Sequence, residues 1–170
     1  MAPWVRRTWS PIGRTPVLAQ RVRHHKKASV IAGLCVSPSR EHVRLYFRLH
    51  ADTNITAETV ADFLRALDRQ LRSPMVLLWD RLAAHRGRAV KHLLAQRPHI
   101  HPEFLPPYAP ELNPVEGVWA YLKTNPLANF APLELDELTD VARRAGRSLQ
   151  RKPDLLRSFI HKCPLPLRLE

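Results

Sequence analysis

A run of five apolar residues at positions 75–79, MVLLW, constrains the fold of this chain more than any other stretch. It follows Ser73 and Pro74, which end a segment whose apolar residues recur at three- and four-residue spacing, as in an amphipathic helix over 57–71 capped by Thr56. A short strand without polar residues is typical of a sheet that is buried on both faces, and a helix directly before it is typical of a crossover between parallel strands. We therefore predict an α/β fold with a parallel, doubly covered sheet.

Other elements follow from pattern and punctuation. Residues 28–36 form an apolar run, residues 43–49 alternate apolar and polar side chains, and the turn signal between them predicts a strand pair. A short strand is also expected over 17–19. Downstream, the patterns predict a helix over 87–96 and a strand over 100–105. They also predict a helix capped by Asn113 and two later helices, over 135–149 and 155–160.

The chain is strongly basic, with 27 Lys and Arg against 15 Asp and Glu and a formal net charge of +12. Nucleic acid is the leading partner, because its binding releases condensed counterions. A membrane partner is not expected, since no apolar run approaches the roughly 20 residues of a span. A solvated turn also explains the basic run over 21–27. The residues expected to contact DNA are Arg21, Arg23, Lys26, Lys27, Arg86 and Arg88.

The two cysteines, Cys35 and Cys163, lie far apart and lack CxxC spacing. We expect neither a zinc site nor a disulfide framework from them. This cysteine usage fits a reducing, cytoplasmic location.

Two carboxylates stand where the ends of a strand and a helix could bring them together. Asp80 follows the apolar strand, at the carboxyl end where ligands bind in open α/β sheets. Glu116 lies 36 positions later, in the first helical turn after a proline-rich loop that holds it rigidly. Each has a plainer alternative: Asp80 as a turn or cap acid, and Glu116 as the acid of a capping box with Asn113.

Electrostatics explains why such a pair would bind a divalent metal. Two ionised carboxylates about 4 Å apart repel by roughly 4 kcal/mol at an effective dielectric near 20. Mg²⁺ or Mn²⁺ removes that conflict and activates water or a 3′-hydroxyl for attack on phosphorus. His85, five residues after Asp80, could orient a carboxylate or contact DNA, or be an ordinary surface histidine. The histidines show no zinc-enzyme spacing.

These residues lie in motifs that have a known counterpart. The motifs are LLWD at 77–80 with Ala84 and His85, LPPYAPELNPVE at 105–116 with Trp119, Leu122 and Lys123, and RRTWSPIGRTP at 6–16. Over most of its length the chain resembles bacterial insertion-sequence transposases of the mariner superfamily, which are DDE superfamily endonucleases.

The resemblance implies an RNase H-like α/β fold, with a mixed sheet flanked by helices, and a three-carboxylate site for two divalent metal ions. Asp80 matches the second carboxylate and Glu116 the third. Asn113 and Lys123 belong to the long motif and are auxiliary candidates. Arg81 stands where asparagine is common. The resemblance also implies DNA partners, namely transposon ends and target, and a nucleoid-associated location in a bacterium.

The resemblance fails at the front of the chain. In the family the first catalytic aspartate precedes the segment at 6–9, whereas this sequence has no acid before Glu41. We therefore expect an N-terminally truncated fold, with an incomplete catalytic domain over 1–130 and a helical extension of the same domain over 131–170. Asp52 is the one upstream acid that could substitute, although a turn role explains it better.

Two functions are consistent with these patterns. The first is a DNA transposase catalytic-domain fragment, inactive as an isolated chain, that cleaves and joins strands when fusion or frameshifting supplies the missing upstream segment. The upstream segment, or a second copy in a homodimer, is the protein partner expected in that case. The second is a catalytically inactive remnant that binds DNA or intact transposase as a regulator. A third, an RNA-binding module, lacks the aromatic-studded sheet motif that such modules use.

Overall fold

The computed structural model describes residues 9–14, 27–130, 132, 134–165 and 169. The predicted strand over 17–19 and the predicted DNA contacts Arg21, Arg23 and Lys26 lie outside these residues. Among the helices that are described, none is both long enough and apolar enough to cross a membrane.

The first two strands form an antiparallel pair, as the alternation predicted. Strand β1 spans Ala28–Val36 and strand β2 spans Val43–Ala51, with Ala28 opposite Ala51 and Val36 opposite Val43. Side chains alternate between the two faces of a strand. Val43 and Leu45 are therefore buried together on the inner face, while Arg44 lies on the outer face.

Helix α1 spans Ala57–Leu71 and confirms the predicted cap and length. The Thr56 hydroxyl accepts a hydrogen bond from the Thr59 N–H, 3.3 Å away, and the Thr59 hydroxyl accepts one from the Thr56 N–H at 3.4 Å. This reciprocal pair satisfies two amides near the helix start that lack intrahelical partners. The predicted apolar stripe is the buried face of α1.

The second strand pair is parallel, as expected for a crossover. Strand β3 spans Met75–Trp79 and strand β4 spans Ile100–Phe104, with Met75 opposite Ile100. The connection contains a short 3₁₀ turn at Ala83–Arg86 and helix α2 at Arg88–Ala95. Its topology places Asp80, directly after β3, at the carboxyl end of the pair.

The prediction that this sheet is covered on both faces is wrong for the part of the chain that the structure describes. Val76 is 67% exposed, and Leu78 on the same face is exposed as well. Helices α1 and α2 pack with Trp79 and Leu77 on the opposite face. The apolar run therefore meets helices on one side only. The described strands also form two two-stranded sheets rather than one continuous sheet.

A second core lies under the β1–β2 pair and includes the C-terminal helices. Helices α3, α4 and α5 span Val115–Thr124, Leu135–Gln150 and Pro153–Lys162. A glycine allows α4 to approach β2 closely, since a Cβ at Gly146 would lie 2.4 Å from Cζ of Phe47. The shared core consists of Val43, Leu45, Val118, Leu122, Leu149, Leu156, Phe159 and Ile160.

An ionic cluster ties the end of α1 to the segment before β4. The Asp68 carboxylate accepts hydrogen bonds from Nε of Arg97 at 2.9 Å and from Nε2 of His99 at 2.7 Å. Asp68 is largely shielded from solvent, so these contacts are screened less than exposed pairs. The cluster holds β4, and with it β3, against α1.

Candidate metal-binding cleft

Two different elements deliver Asp80 and Glu116 to the same place. Asp80 directly follows β3, and the ladder continues one residue beyond β4, where the Leu105 N–H donates to the Trp79 carbonyl at 2.9 Å. The chain then runs through the proline-rich loop into α3, whose second residue is Glu116. Anchoring the loop at buried Leu105 and at the start of α3 fixes Glu116 relative to Asp80.

Both carboxylates line one open cleft of about 360 Å³. The cleft lies between the end of β3, the proline-rich loop and the start of α3. The residues that line it are Asp80, Arg81, Leu105, Pro106, Pro107, Tyr108, Ala109, Pro110, Asn113 and Glu116. Two acidic residues therefore line a volume that can hold a hydrated cation or part of a charged ligand.

One oxygen of Asp80 is held firmly. Its Oδ1 accepts a hydrogen bond from the Leu82 N–H at 3.0 Å and lies 2.8 Å from Nδ1 of His85, which is hydrogen-bonded to the Asp80 backbone carbonyl at 3.2 Å. His85 is only 17% exposed and stacks on Trp79, with ring centroids 4.7 Å apart, whereas the Asp80 side chain is 54% exposed. His85 does not line the cleft. It contacts the backbone carbonyl and Oδ1 of Asp80, and Oδ2 of Asp80 has no hydrogen bond among the described residues.

The capping-box alternative for Glu116 is wrong. In a capping box the acid would accept a hydrogen bond from the backbone N–H of the capping residue. The Asn113 N–H instead donates to the Pro110 carbonyl at 3.0 Å, and the Asn113 side chain accepts from the Val115 N–H at 3.2 Å. Within the described residues the exposed Glu116 carboxylate has no hydrogen bond or ion pair. The Asn113 side chain thus bonds the first amide of α3 without Glu116, which stays available.

The C-terminal helix supports the Glu116 side of the cleft. A Cβ at Gly117 would lie 2.9 Å from Cδ1 of Phe159, so glycine allows α3 to rest directly on α5. Just beyond α5, Sγ–H of buried Cys163 donates to the Glu111 carbonyl at 3.2 Å. Both the proline-rich loop and the helix that carries Glu116 therefore depend on the last described helix.

A cation shares the cleft with the two carboxylates. Nε of Arg81 donates to the Leu105 carbonyl at 3.4 Å, and its guanidinium carbon lies 5.9 Å from the centroid of the Phe104 ring. Within the described chain Arg81 forms no ion pair with Asp80 or Glu116. Its charge reduces the repulsion between the carboxylates and leaves the terminal guanidinium N–H groups for a ligand.

Several residues singled out from the sequence lie elsewhere. Lys123 is two helical turns after Glu116 and does not line the cleft. Asp52 lies in a left-handed turn after β2 and is also absent from the lining. Arg86 and Arg88 are exposed near the start of α2, and the Lys27 ammonium donates to the Asn54 side chain.

Two features of the cleft were missed in the sequence. Arg81 drew attention only as a departure from a family pattern, and Tyr108 drew none. The Pro-Pro-Tyr sequence was the signal for Tyr108. Three nearby prolines fix the loop, and an aromatic side chain at the tip of a rigid loop is expected to stay exposed. No group of three or more His, Cys, Asp or Glu suited to a metal occurs among the residues that the structure describes.

Comparisons with known proteins found a curated relative of part of this chain. The chain is 32% identical over 104 residues to the uncharacterized protein y4pE/y4sA of Sinorhizobium fredii (strain NBRC 101917 / NGR234), covering 61% of this chain and 73% of that protein.

Solved structures of Mos1 transposase share the fold. The Mos1 transposase paired-end complex with left transposon end matches with a TM-score of 0.54 and 16% identity, covering 93% of this chain and 51% of that one. The Mos1 mariner paired-end complex with Mn matches at 0.53 and 18%, covering 100% and 53%. The chain thus spans about half the length of these proteins. The likeness confirms the predicted RNase H-like α/β fold.

A family model described as the DDE superfamily endonuclease matches residues 1–139. This match includes β1 to β4, the proline-rich loop and both carboxylates of the cleft, and it agrees with the fold likeness. The chain belongs to the DDE superfamily endonucleases.

Proposed function

We propose that this chain supplies Asp80 and Glu116 as ligands for a divalent metal in the catalytic domain of a DNA transposase. The observation that carries the proposal is that two carboxylates 36 positions apart line one cleft. Family membership favours phosphodiester chemistry for such a cleft.

The donor set suits Mg²⁺ or Mn²⁺. Both ions prefer hard oxygen ligands, and Mg²⁺ sites commonly use one or two carboxylates while keeping several waters. Oδ2 of Asp80 and the carboxylate of Glu116 are the available protein oxygens. Asn113 contributes less, since its side-chain oxygen already accepts from a backbone N–H. One of the Mos1 structures is a complex with Mn.

The residues of the chain would hold the metal ion in position, and the metal ion would supply the chemistry. A bound divalent ion polarises a phosphoryl oxygen and activates the attacking hydroxyl. His85 restrains Asp80 through the hydrogen bond to its backbone carbonyl, the close contact with Oδ1 and the stack on Trp79. The proline-rich loop and α5 hold Glu116 from the other side. Such restraint matters because metal sites tolerate misplacement of only about 0.5 Å.

DNA is the proposed substrate and partner. One Mos1 structure is a paired-end complex with a transposon end. The net charge of +12 supports the same partner here, and Arg86 and Arg88 are exposed a few residues after Asp80. We propose that they contact backbone phosphates on either side of the cleft, so that affinity falls steeply with salt.

A further segment completes the site in this proposal. The resemblance implies three carboxylates, and the cleft has two among the described residues. Among the described residues the outer edges of both strand pairs are unpaired, and the buried Trp79 indole N–H has no acceptor. A strand from an upstream segment or from a second copy would supply both the pairing and the third acid.

The same observations favour a second candidate, in which the chain acts without catalysis. If no third carboxylate joins the two that line the cleft among the described residues, the chain would bind DNA, or bind intact transposase and regulate it. The first candidate requires metal-dependent cleavage once the site is complete, and the second requires none.

Metal binding tests the proposed ligands directly. We expect Mn²⁺ to bind the chain in isothermal titration calorimetry. Glu116→Gln or Asp80→Asn should weaken binding at least as much as the roughly 10- to 100-fold loss seen when a residue that only orients a metal ligand is changed. Glu111→Gln is the matched control, because Glu111 is an exposed acid of the same loop that does not line the cleft. Unchanged affinity in Glu116→Gln would refute the assignment.

Strand cleavage separates the two candidates. The chain is assayed for Mg²⁺-dependent nicking of duplex DNA, alone and joined to the segment encoded upstream of Met1. We expect nicking in the joined protein, abolished by Glu116→Gln while DNA binding is nearly intact. No nicking in either form, with DNA binding retained, would favour the regulatory candidate.

A further inference from the structure

Tyr108 occupies a backbone conformation that its own side chain disfavours. Its φ is +58°, in the left-handed region where asparagine and glycine are much more at ease than an aromatic residue. The other non-glycine residues with positive φ are Arg40, Asp52, Arg72 and Asn129, all polar or charged. Tyr108 is therefore the aromatic member of that set within the described residues.

The ring gains no contact inside the chain that would explain this conformation. Its exposure is 102%, as great as in an isolated residue. It has no hydrogen bond or ring contact with any part of the chain that the structure describes. Asparagine or glycine would fit the backbone with less strain. A strained, fully exposed aromatic residue at a cleft is a reason to look for a ligand outside the chain.

The loop holds the ring in place before any ligand arrives. Pro106 and Pro107 precede it and Pro110 follows, which restricts φ at three of the five positions from 106 to 110. At either end the loop is anchored by buried Leu105 and by the hydrogen bond from the Asn113 N–H. A ring whose backbone is already ordered loses little conformational entropy on binding.

The neighbours of Tyr108 in the cleft match the parts of a nucleotide. Arg81 presents free guanidinium N–H groups suited to a phosphate, and Asp80 and Glu116 are the proposed metal ligands beside it. Tyr108 offers a flat aromatic face, and bases stack on such faces regardless of sequence. Cation, carboxylates and ring lie around one opening.

Resting on the proposed function, we propose that Tyr108 stacks on an unpaired or terminal base of the DNA strand whose phosphate contacts Arg81. A base inside a continuous duplex has both faces covered by its neighbours and cannot accept the ring. The preferred substrate of this cleft is therefore a frayed, single-stranded or branched DNA end, and uninterrupted duplex binds less well.

Fluorescence of 2-aminopurine tests the stacking. The probe is placed as an unpaired 3′-terminal base and, in a second oligonucleotide, inside continuous duplex, and the chain is titrated in without divalent metal. We expect quenching of the terminal probe only. Tyr108→Asn should reduce the affinity for the unpaired end by about 5- to 150-fold, the range of one aromatic stack, and remove the quenching.

The choice of variants separates stacking from folding. Tyr108→Asn suits the left-handed backbone, so its thermal unfolding midpoint should equal or exceed that of the wild type. Tyr108→Phe keeps the ring and should retain quenching, whereas Tyr108→Leu keeps apolar bulk without the flat face and should lose it. Full quenching with Tyr108→Leu or Tyr108→Asn would overturn the proposal.

The outcomes also distinguish this inference from the proposed function. Binding of the unpaired end without any effect of Tyr108→Asn overturns the stacking alone and leaves the metal site standing. Absence of DNA binding by the wild-type chain overturns both. Quenching that persists in Glu116→Gln while Mn²⁺ affinity is lost supports both, because stacking needs no metal.

Discussion

Replacing Gly117 with alanine should displace the helix that carries Glu116. An ideal Cβ there lies 2.9 Å from Cδ1 and 3.0 Å from Cγ of Phe159. A relaxed carbon contact is about 3.5 Å, so the helix or the ring must move by about 0.6 Å. The ring is buried in the second core, among α3, α5 and β2, and cannot swing into solvent. Much of the movement therefore falls on α3.

The expected change in stability is small. Overpacking of this kind costs about 1–3 kcal/mol, and replacing glycine in a helix returns about 1 kcal/mol. A net loss of about 1 kcal/mol corresponds to a decrease of roughly 2–4 °C in the unfolding midpoint for a domain of this size. The movement is comparable with the roughly 0.5 Å tolerance of a metal site. Mn²⁺ affinity should thus fall more clearly than stability.

Gly146→Ala is the matched control. A Cβ there would lie 2.4 Å from Phe47, a more severe overlap than at Gly117, but on α4 and away from the cleft. We expect a greater loss of stability, about 2 kcal/mol, and unchanged Mn²⁺ affinity. The measurements are urea unfolding and isothermal titration calorimetry for both variants.

The two variants must diverge if the packing of α3 on α5 positions Glu116. Equal Mn²⁺ affinities in Gly117→Ala and Gly146→Ala would refute this reasoning. Adding Phe159→Leu to Gly117→Ala should restore part of the affinity, because the smaller side chain relieves the overlap. Failure to restore it while stability recovers would count equally against it.

Two further predictions follow from titratable groups. The hydrogen bond with His99, aided by Arg97, lowers the pKa of Asp68 below its ordinary value of 3.8. The contribution of ionised Asp68 to stability is therefore complete above that pH and lost as pH falls through the lowered pKa. In Asp68→Asn the free energy of unfolding, measured with urea at a series of pH values, should fall less steeply at acidic pH than in the wild type. Burial raises the pKa of the Cys35 thiol to about 11. Iodoacetamide should thus label Cys35 slowly near neutral pH and faster as pH approaches that value. Mass spectrometry measures the labelling rate, and the urea-unfolded chain serves as the fast-labelling control.

Local patterns in the sequence predicted most of the elements. The Thr56 cap, the spacing of apolar residues in α1 and the alternation in β2 depend on short-range geometry, and the structure confirms each of them. Parallel pairing of β3 and β4 was also predictable, because a helical crossover leaves few other arrangements.

Features set by tertiary partners were not predictable. The apolar run of β3 carries no mark of which face meets a helix, and Val76 proved to be exposed. The sequence around Asn113 is equally compatible with a Glu116 side chain that turns back to form a capping box and with one that turns toward the cleft. Here the Asn113 N–H already bonds to the Pro110 carbonyl, which decides between them. The sign of φ at Tyr108 depends on how the whole loop closes.

The contact between α5 and the Glu116 helix has a practical consequence for anyone expressing this protein. The family match ends at residue 139, within α4, whereas Phe159 and Cys163 lie beyond it. A protein expressed from the matched region alone would lose Phe159, which packs against Gly117, and Cys163, whose thiol donates to the Glu111 carbonyl. This shortened protein would retain both proposed metal ligands, Asp80 and Glu116, yet lack the packing that positions Glu116.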